Sequence, residues 1–339
     1  MNLIPRPVSV CCEALRSSGH EAYPVGGCVR DLLLGRPPSD WDVTTSALPE
    51  TVTALFDKTV PTGLRHGTVS VFLDGMKIEV TTFRRESAYS DGRHPDQVSF
   101  DATLTDDLSR RDFTINAMAL DASGGVVDPF GGRQDLDARV IRCVGTPEQR
   151  FGEDALRMFR ALRFAAQLDF SISTDVTEAV ALYAQRARSV SAERVRTELE
   201  KAICAPFPGW ADGLFSLGLM DRFLLKRASP ELGRLSEREP HAPARWSALC
   251  GLLEEEGAIS GRKEFLSSLR LERRVIREIL NDGAAPGIRD LALSGGAMYR
   301  MGLRGPEIGA AQRRLLAHVR LHPQDNTADD LIRILNRGD

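Results

Sequence analysis

The sequence predicts a chain of mixed class: an α/β or α+β domain over about the first 146 residues, followed by an all-helical remainder. Two observations carry this. Over the first 145 residues, short alternating runs are mixed with helical ones and punctuated by turn signals at Gly63, Gly75, Gly92, Gly124-Gly125 and Gly131-Gly132. From Pro147 onward apolar residues recur at three- and four-residue spacing, the helical period.

In chain order, Tyr23–Val25 reads as a strand, and residues 28–34 as a helix closed by Gly35 as its C-terminal cap. Asp40 and Asp42 fall on an extended run after Pro37-Pro38, and Met76–Phe83 alternates as a strand. Residues 85–97, polar and rich in turn formers, form an expected surface loop, and Asp135 and Asp137 are expected in a solvated loop behind Gly131-Gly132. The second half should hold helices at 153–168, 175–188, 192–204, 262–281 and 307–319, with connections around residues 206–209 and 284–287.

The 339 residues leave room for two or three domains with a continuous core. No apolar run approaches the roughly 18 to 20 residues that span a bilayer, and the N-terminus lacks a signal-peptide apolar region, so a cytoplasmic location is expected. Six cysteines without a CxxC pair read as reduced thiols. The net charge of −3 conceals an asymmetry: residues 262–339 carry 14 Arg and Lys against 10 Asp and Glu, the rest 30 against 37. The basic end is arginine-rich, which suits bidentate phosphate contacts.

The strongest local signal is Val25-Gly26-Gly27-Cys28-Val29-Arg30-Asp31 followed by Asp40-Trp41-Asp42. Two glycines between a strand and a helix bring the backbone close to a ligand, and the exposed helix start offers free amides to a phosphate. Alone, that turn is weak evidence. Side chains two apart on a strand share a face, so Asp40 and Asp42 converge and repel unless a cation lies between them. A few hard oxygen ligands suit magnesium that keeps its other positions for phosphate and water. Glu79, on the polar face of the 76–83 strand with Lys77 and Thr81, ranks first as a third carboxylate. Three such groups holding two magnesium ions would activate a 3′-hydroxyl and neutralise a leaving pyrophosphate.

These blocks, with Glu79-Val80-Thr81-Thr82-Phe83-Arg84, Arg110-Arg111-Asp112-Phe113-Thr114-Ile115-Asn116-Ala117-Met118-Ala119, Asp128-Pro129-Phe130-Gly131-Gly132, Glu153-Asp154-Ala155-Leu156-Arg157 and Glu193-Arg194-Val195-Arg196-Thr197-Glu198-Leu199, occur in order over about 200 residues. The set resembles the polymerase β-type nucleotidyltransferases, specifically the bacterial CCA-adding enzymes and poly(A) polymerases. The resemblance implies an α+β fold, a nucleotidyltransferase head with a mixed sheet and flanking helices over 1–146. It also implies a helical neck that recognises the base (147–212) and a helical body and tail that bind tRNA (213–339).

It further implies template-independent addition of CCA to the 3′ end of tRNA from CTP and ATP with Mg2+, tRNA being held on its acceptor and T-arm side. Asp40, Asp42 and Glu79 would be catalytic and metal-binding. Gly26, Gly27, Arg30, Arg111, Asp112, Asp154, Arg157, Arg160 and Arg163 would bind the nucleotide, with Asp112 near the ribose. On a continuous helix at about 100° per residue, Asp154, Arg157, Arg160 and Arg163 sweep one half of the surface. Asp154 could accept from the exocyclic amine of cytosine or adenine while Arg157 donates to the ring acceptor; uracil and guanine would set a carbonyl against the carboxylate. In the family a loop of the length of 85–97 accompanies addition of the terminal A. Leu293-Ser294-Gly295-Gly296 and Gly305-Pro306-Glu307-Ile308-Gly309 are similar to the family's tail, where Arg300, Arg304, Arg313, Arg314 and Arg320 suit an RNA backbone. Poly(A) synthesis, or A addition beside a separate CC-adding partner, remain alternatives.

Overall fold

The computed structural model describes residues 4–63, 67–86, 97–281, 288, 291–322 and 325–336. Most of the expected loop at 85–97 and the connection at 284–287 lie outside those residues. The chain divides into two units, Met1–Ile279 and Leu280–Asp339.

In the first unit a five-stranded mixed sheet is built from β1 (Ala22–Pro24), β2 (Trp41–Thr45), β3 (Thr59–Gly63), β4 (Thr68–Leu73) and β5 (Met76–Thr82), in the order β1-β2-β5-β4-β3. Only the β2–β5 pair is parallel. Alternation does the sorting: Trp41 and Val43 of β2, Ile78 and Val80 of β5 and Val69 and Val71 of β4 are buried. Helix α1 (Arg6–Ser17), with Pro7 in its first turn, brings Val8, Cys11, Cys12 and Leu15 into the same core, as α3 (Pro49–Leu55) brings Val52. Each such aliphatic side chain contributes about 1.5–3 kcal/mol. Burial pushes the Cys11 thiol up to about 12 and the Cys12 thiol to about 11, and all six cysteines are free.

The polar side of β2 and β5 is closed differently. Helix α2 (Gly27–Leu33) follows β1, and α4 (Leu104–Ser109) begins with a Thr103–Asp106 capping box. Its fully buried Asp107 accepts a hydrogen bond from Thr44 at 3.1 Å. The run Gly131-Gly132 opens α5 (Gly132–Asp137), so Asp135 and Asp137 stand in a helix rather than the expected loop. Asp135 is buried and accepts from Thr114 at 2.7 Å and Arg142 at 3.1 Å.

The helical half follows with α6 (Pro147–Glu153), α7 (Leu156–Leu168), α8 (Thr174–Tyr183), α9 (Ala192–Ile203), α10 (Gly213–Ser216), α11 (Ala242–Glu255), α12 (Arg262–Ser268) and α13 (Arg273–Asn281). The expected helix at 262–281 is thus two helices. Its break is a Schellman motif: Arg270 is left-handed at φ 60°, Arg270 N–H bonds Ser267 O and Leu271 N–H bonds Leu266 O. Arginine stands where glycine usually signals such an end, so the periodicity reads as continuous.

The second unit holds α14 (Gly295–Arg300), α15 (Gly305–Leu321) and α16 (Ala328–Asn336) around Leu293, Met298, Leu315, Val319 and Leu331. Arg300 and Arg313 are exposed, Arg304 lies 4.2 Å over the Tyr299 ring, and Arg314 donates to Ile334 O. The Arg320 side chain lies outside the described residues. Among the described residues no helix is long and apolar enough to cross a membrane.

Candidate active site

A cavity of about 1030 Å³ opens between the polar side of the sheet and helices α7 and α9. The β2–β5 pairing places Asp42 opposite Glu79 in register, with Thr44 opposite Thr81. Asp40, one step before β2, is exposed, while Asp42 is half-buried. Burial first, then the charges of Glu79 and Asp40, push the Asp42 carboxyl up to about 6, against the opposing pull of Arg111 and Lys77. Glu79 accepts a salt bridge from Lys77 at 2.7 Å. Among the described residues no three such groups form a ready-made metal cage. The donors are nevertheless hard oxygens on adjoining strand positions, and a divalent cation would relieve both the burial of the Asp42 charge and its repulsion from Glu79 and Asp40, so they fit magnesium.

Gly26 caps α2 at φ 82°, a conformation that side chains rarely adopt. A Cβ there would stand 2.8 Å from Arg111 Nη1. The turn is held by Gly26 N–H to Met118 O at 3.1 Å. Arg111 itself is anchored on Asp107 at 3.3 Å, which also takes Arg110 at 2.6 Å. Burial would raise Asp107, but Arg110 and Arg111 overcome it and hold its carboxyl below the ordinary value.

Behind the turn runs a polar chain joining α2 to α7. Arg30, mostly buried, donates to Asn116 Oδ1 at 2.7 Å; Asn116 donates to Asp112 Oδ1 at 3.1 Å; Arg160 donates to Asp112 Oδ2 at 2.6 Å. Asp112 is buried, which would raise it, yet Arg160 and Arg157 carry it well below the usual carboxylate range. Arg163 is buried in an ion pair with Glu198, Nε to Oε2 at 2.6 Å.

Asp154 departs from expectation. It is not on the helix with Arg157: α6 ends at Glu153, α7 begins at Leu156, and Asp154 between them is extended at φ −149°. The cause is local, because its Oδ1 accepts Leu156 N–H at 3.0 Å, the side-chain-to-backbone bond by which Asp competes with helix. Arg194 of α9 grips the same carboxylate, Nη2 to Oδ2 at 2.6 Å and Nη1 to Oδ1 at 3.2 Å. Arg157 is tied to Glu153 at 2.6 Å and to Arg110 O at 2.9 Å. Of the expected residues, Gly26, Gly27, Arg30, Asp40, Asp42, Arg111, Asp112, Asp154, Arg157, Arg160 and Arg163 line the one cavity; Glu79 adjoins it through Asp42.

Sequence reasoning gave no role to Arg194, Lys201 or Phe164, which also line it. Arg194, Glu198 and Lys201 at spacings of four and three mark one face of α9, a signal that was available. Arg110 and Asn116 are tied into the networks above, and Arg196 donates to Arg270 O at 2.6 Å.

Residues 22–142 match the family model described as poly A polymerase head domain, and residues 169–232 match that of a probable RNA and SrmB-binding site of polymerase A. A CCA-adding enzyme of Geobacillus thermodenitrificans is 43% identical over 274 residues, 78% of this chain and 66% of its own. One from Anoxybacillus flavithermus is 51% identical over 195 residues, 58% and 49%. One from Geobacillus sp. (strain WCH70) is 43% identical over 279 residues, 79% and 67%. The chain thus spans between about half and two thirds of the length of these curated relatives. Among solved structures, the Bacillus stearothermophilus CCA-adding enzyme in complex with CTP matches with a TM-score of 0.72 at 31% identity, covering 98% of both chains. A tRNA nucleotidyltransferase complexed with a primer tRNA and an incoming ATP analog shares the fold, with a TM-score of 0.65 at 23% identity over 91% of both chains.

Proposed function

Because the chain belongs to the CCA-adding enzyme family of nucleotidyltransferases, we propose that it adds CCA, without a template, to the 3′ end of tRNA from CTP and ATP. The observation that carries this is the register pairing of Asp42 with Glu79 at the edge of a cavity that Asp42 shares with Asp154, Arg157 and Arg194. Residues 1–146 act as the catalytic head, 147–212 as the neck that reads the base, and 213–339 as the body and tail that hold tRNA. The setting is the cytoplasm.

The reaction is in-line attack of the RNA 3′-hydroxyl on the α-phosphorus of the nucleotide, with pyrophosphate leaving. Asp40, Asp42 and Glu79 would hold magnesium, which when bound supplies activation of the hydroxyl and neutralisation of the leaving group. The Gly26-Gly27 backbone accommodates the phosphates, and Arg111, poised by Asp107, donates to them. Arg160 and Arg30 fix Asp112 and Asn116 for the ribose side of the nucleotide.

Base choice follows from what Asp154 has left to offer. A carboxylate has about four lone-pair sites. Arg194 takes two and Leu156 N–H a third, which leaves one, on Oδ2, to accept an exocyclic amine. Cytosine and adenine carry that amine; uracil and guanine present a carbonyl there and are refused.

The test is single-nucleotide incorporation into tRNA ending before CCA, with CTP alone, ATP alone and both. CTP incorporation followed by ATP supports the proposal. Untemplated ATP runs without CTP incorporation identify a poly(A) polymerase, and A addition only to tRNA ending in CC identifies the A-adding alternative.

A further inference from the structure

Phe164 of α7 is 5% exposed, yet lines the cavity. Three guanidiniums lie over its ring: Arg163 with Cζ 3.6 Å from the centroid, Arg30 at 5.1 Å and Arg160 at 5.3 Å. The ring is itself fixed edge-on to Phe113, centroids 5.8 Å apart at 83°. Three cations gathered around one ring repel one another, and each is paired with a carboxylate: Asp31 for Arg30, Asp112 for Arg160 and Glu198 for Arg163. Arg163 feels the crowding, with burial and then Arg160 opposing Glu198 and lowering its guanidinium to about 10. What all three share is the negative π-surface of one aromatic ring.

We propose that Phe164 is a positioning residue of the nucleotide site: its ring holds the guanidiniums of Arg30, Arg160 and Arg163 in a fixed fan, coupling the turn helix α2 to the base-reading helix α7. The inference rests on the reading of the cavity as the CTP and ATP site. An apolar side chain of equal volume would fill the space but take the ring's quadrupole away from all three cations. Because the ring's partners are Arg30, Arg160 and Arg163 and not the Asp154 carboxylate proposed to read the base, its contribution is to affinity for both nucleotides and not to the choice between bases.

The experiment separates quadrupole from volume. Pentafluorophenylalanine placed at position 164 keeps nearly the shape of the ring and reverses its surface charge; Phe164→Leu removes the ring altogether. Binding of CTP and ATP is titrated for parent and both variants, KM and kcat are measured in tRNA extension, and thermal melting checks the fold. The expected result is that the fluorinated chain keeps one cooperative melt, a few degrees below the parent's, while binding CTP and ATP about tenfold more weakly, with KM raised, kcat little changed and the preference over UTP and GTP retained. Parental affinity in the fluorinated chain alongside a loss in Phe164→Leu means the ring only packs, and overturns the inference; so does a loss confined to one nucleotide. A parent chain that binds neither nucleotide fails the functional reading itself.

Discussion

Asp42→Asn should make the metal-free protein more stable while abolishing transfer. Burial and the neighbouring carboxylates raise the folded-state pKa from 3.8 to about 6. A raised carboxylate pKa means that the folded state binds the proton more tightly than the unfolded chain. Its contribution is therefore fully present below about pH 4 and is lost as pH rises through about 6. At about 1.36 kcal/mol per unit, keeping Asp42 ionised at pH 8 costs the fold about 3 kcal/mol. Asparagine mimics the neutral form and escapes that cost. Thermal melting of parent and variant in a metal chelator should show the variant higher by several degrees at pH 8 and nearly level at pH 4. Magnesium, binding only the folded parent, should then raise the parent and leave the variant unmoved. An equal difference at both pH values, a less stable variant at pH 8, or transfer at the parental rate would refute the assignment of Asp42 as a charge-strained metal ligand.

Gly26→Ala should lower stability by about 1–3 kcal/mol through its backbone conformation and, by displacing Arg111, raise KM for both nucleotides. The control is Gly35→Ala, at φ 67° with open space around the added carbon, which should cost stability but leave KM unchanged in the same assay. Asp154→Ala should admit UTP and GTP; unchanged selectivity in single-nucleotide incorporation would exclude Asp154 as the base reader. Asp112, held below the usual carboxylate range, contributes stability that is present above about pH 4 and lost as pH falls through its lower folded value. Asp112→Asn should thus lose about 3–5 kcal/mol at pH 7 by stranding Arg160, and its acid unfolding profile should be flatter than the parent's between pH 4 and 2.

Much of the site was legible because its chemistry sits in local spacing. Asp40 and Asp42 share a face by strand geometry, Gly26-Gly27 marks a sharp entry to a helix, and the fold class followed from a change of hydrophobic period near Pro147. Where the sequence misled, a side chain or backbone had replaced the usual signal. Asp154 accepts Leu156 N–H and breaks a helix whose apolar rhythm continues through it. Arg270 takes the left-handed cap that glycine would have announced. Asp135, spaced like a loop residue, is buried because Thr114 and Arg142 come to it from elsewhere in the chain.

By itself, then, the sequence determined which residue types could meet a nucleotide and in what order along the chain, since strand and helix periods are properties of neighbours. Only the tertiary structure decided how they are held. The register that sets Glu79 beside Asp42 comes from a strand crossover. The grip of Arg194 on Asp154 spans 40 residues, that of Arg160 on Asp112 48, and that of Arg30 on Asn116 86. Pairings at such separations depend on packed layers that bring remote charges into a low-dielectric space, and local spacing carries no record of them.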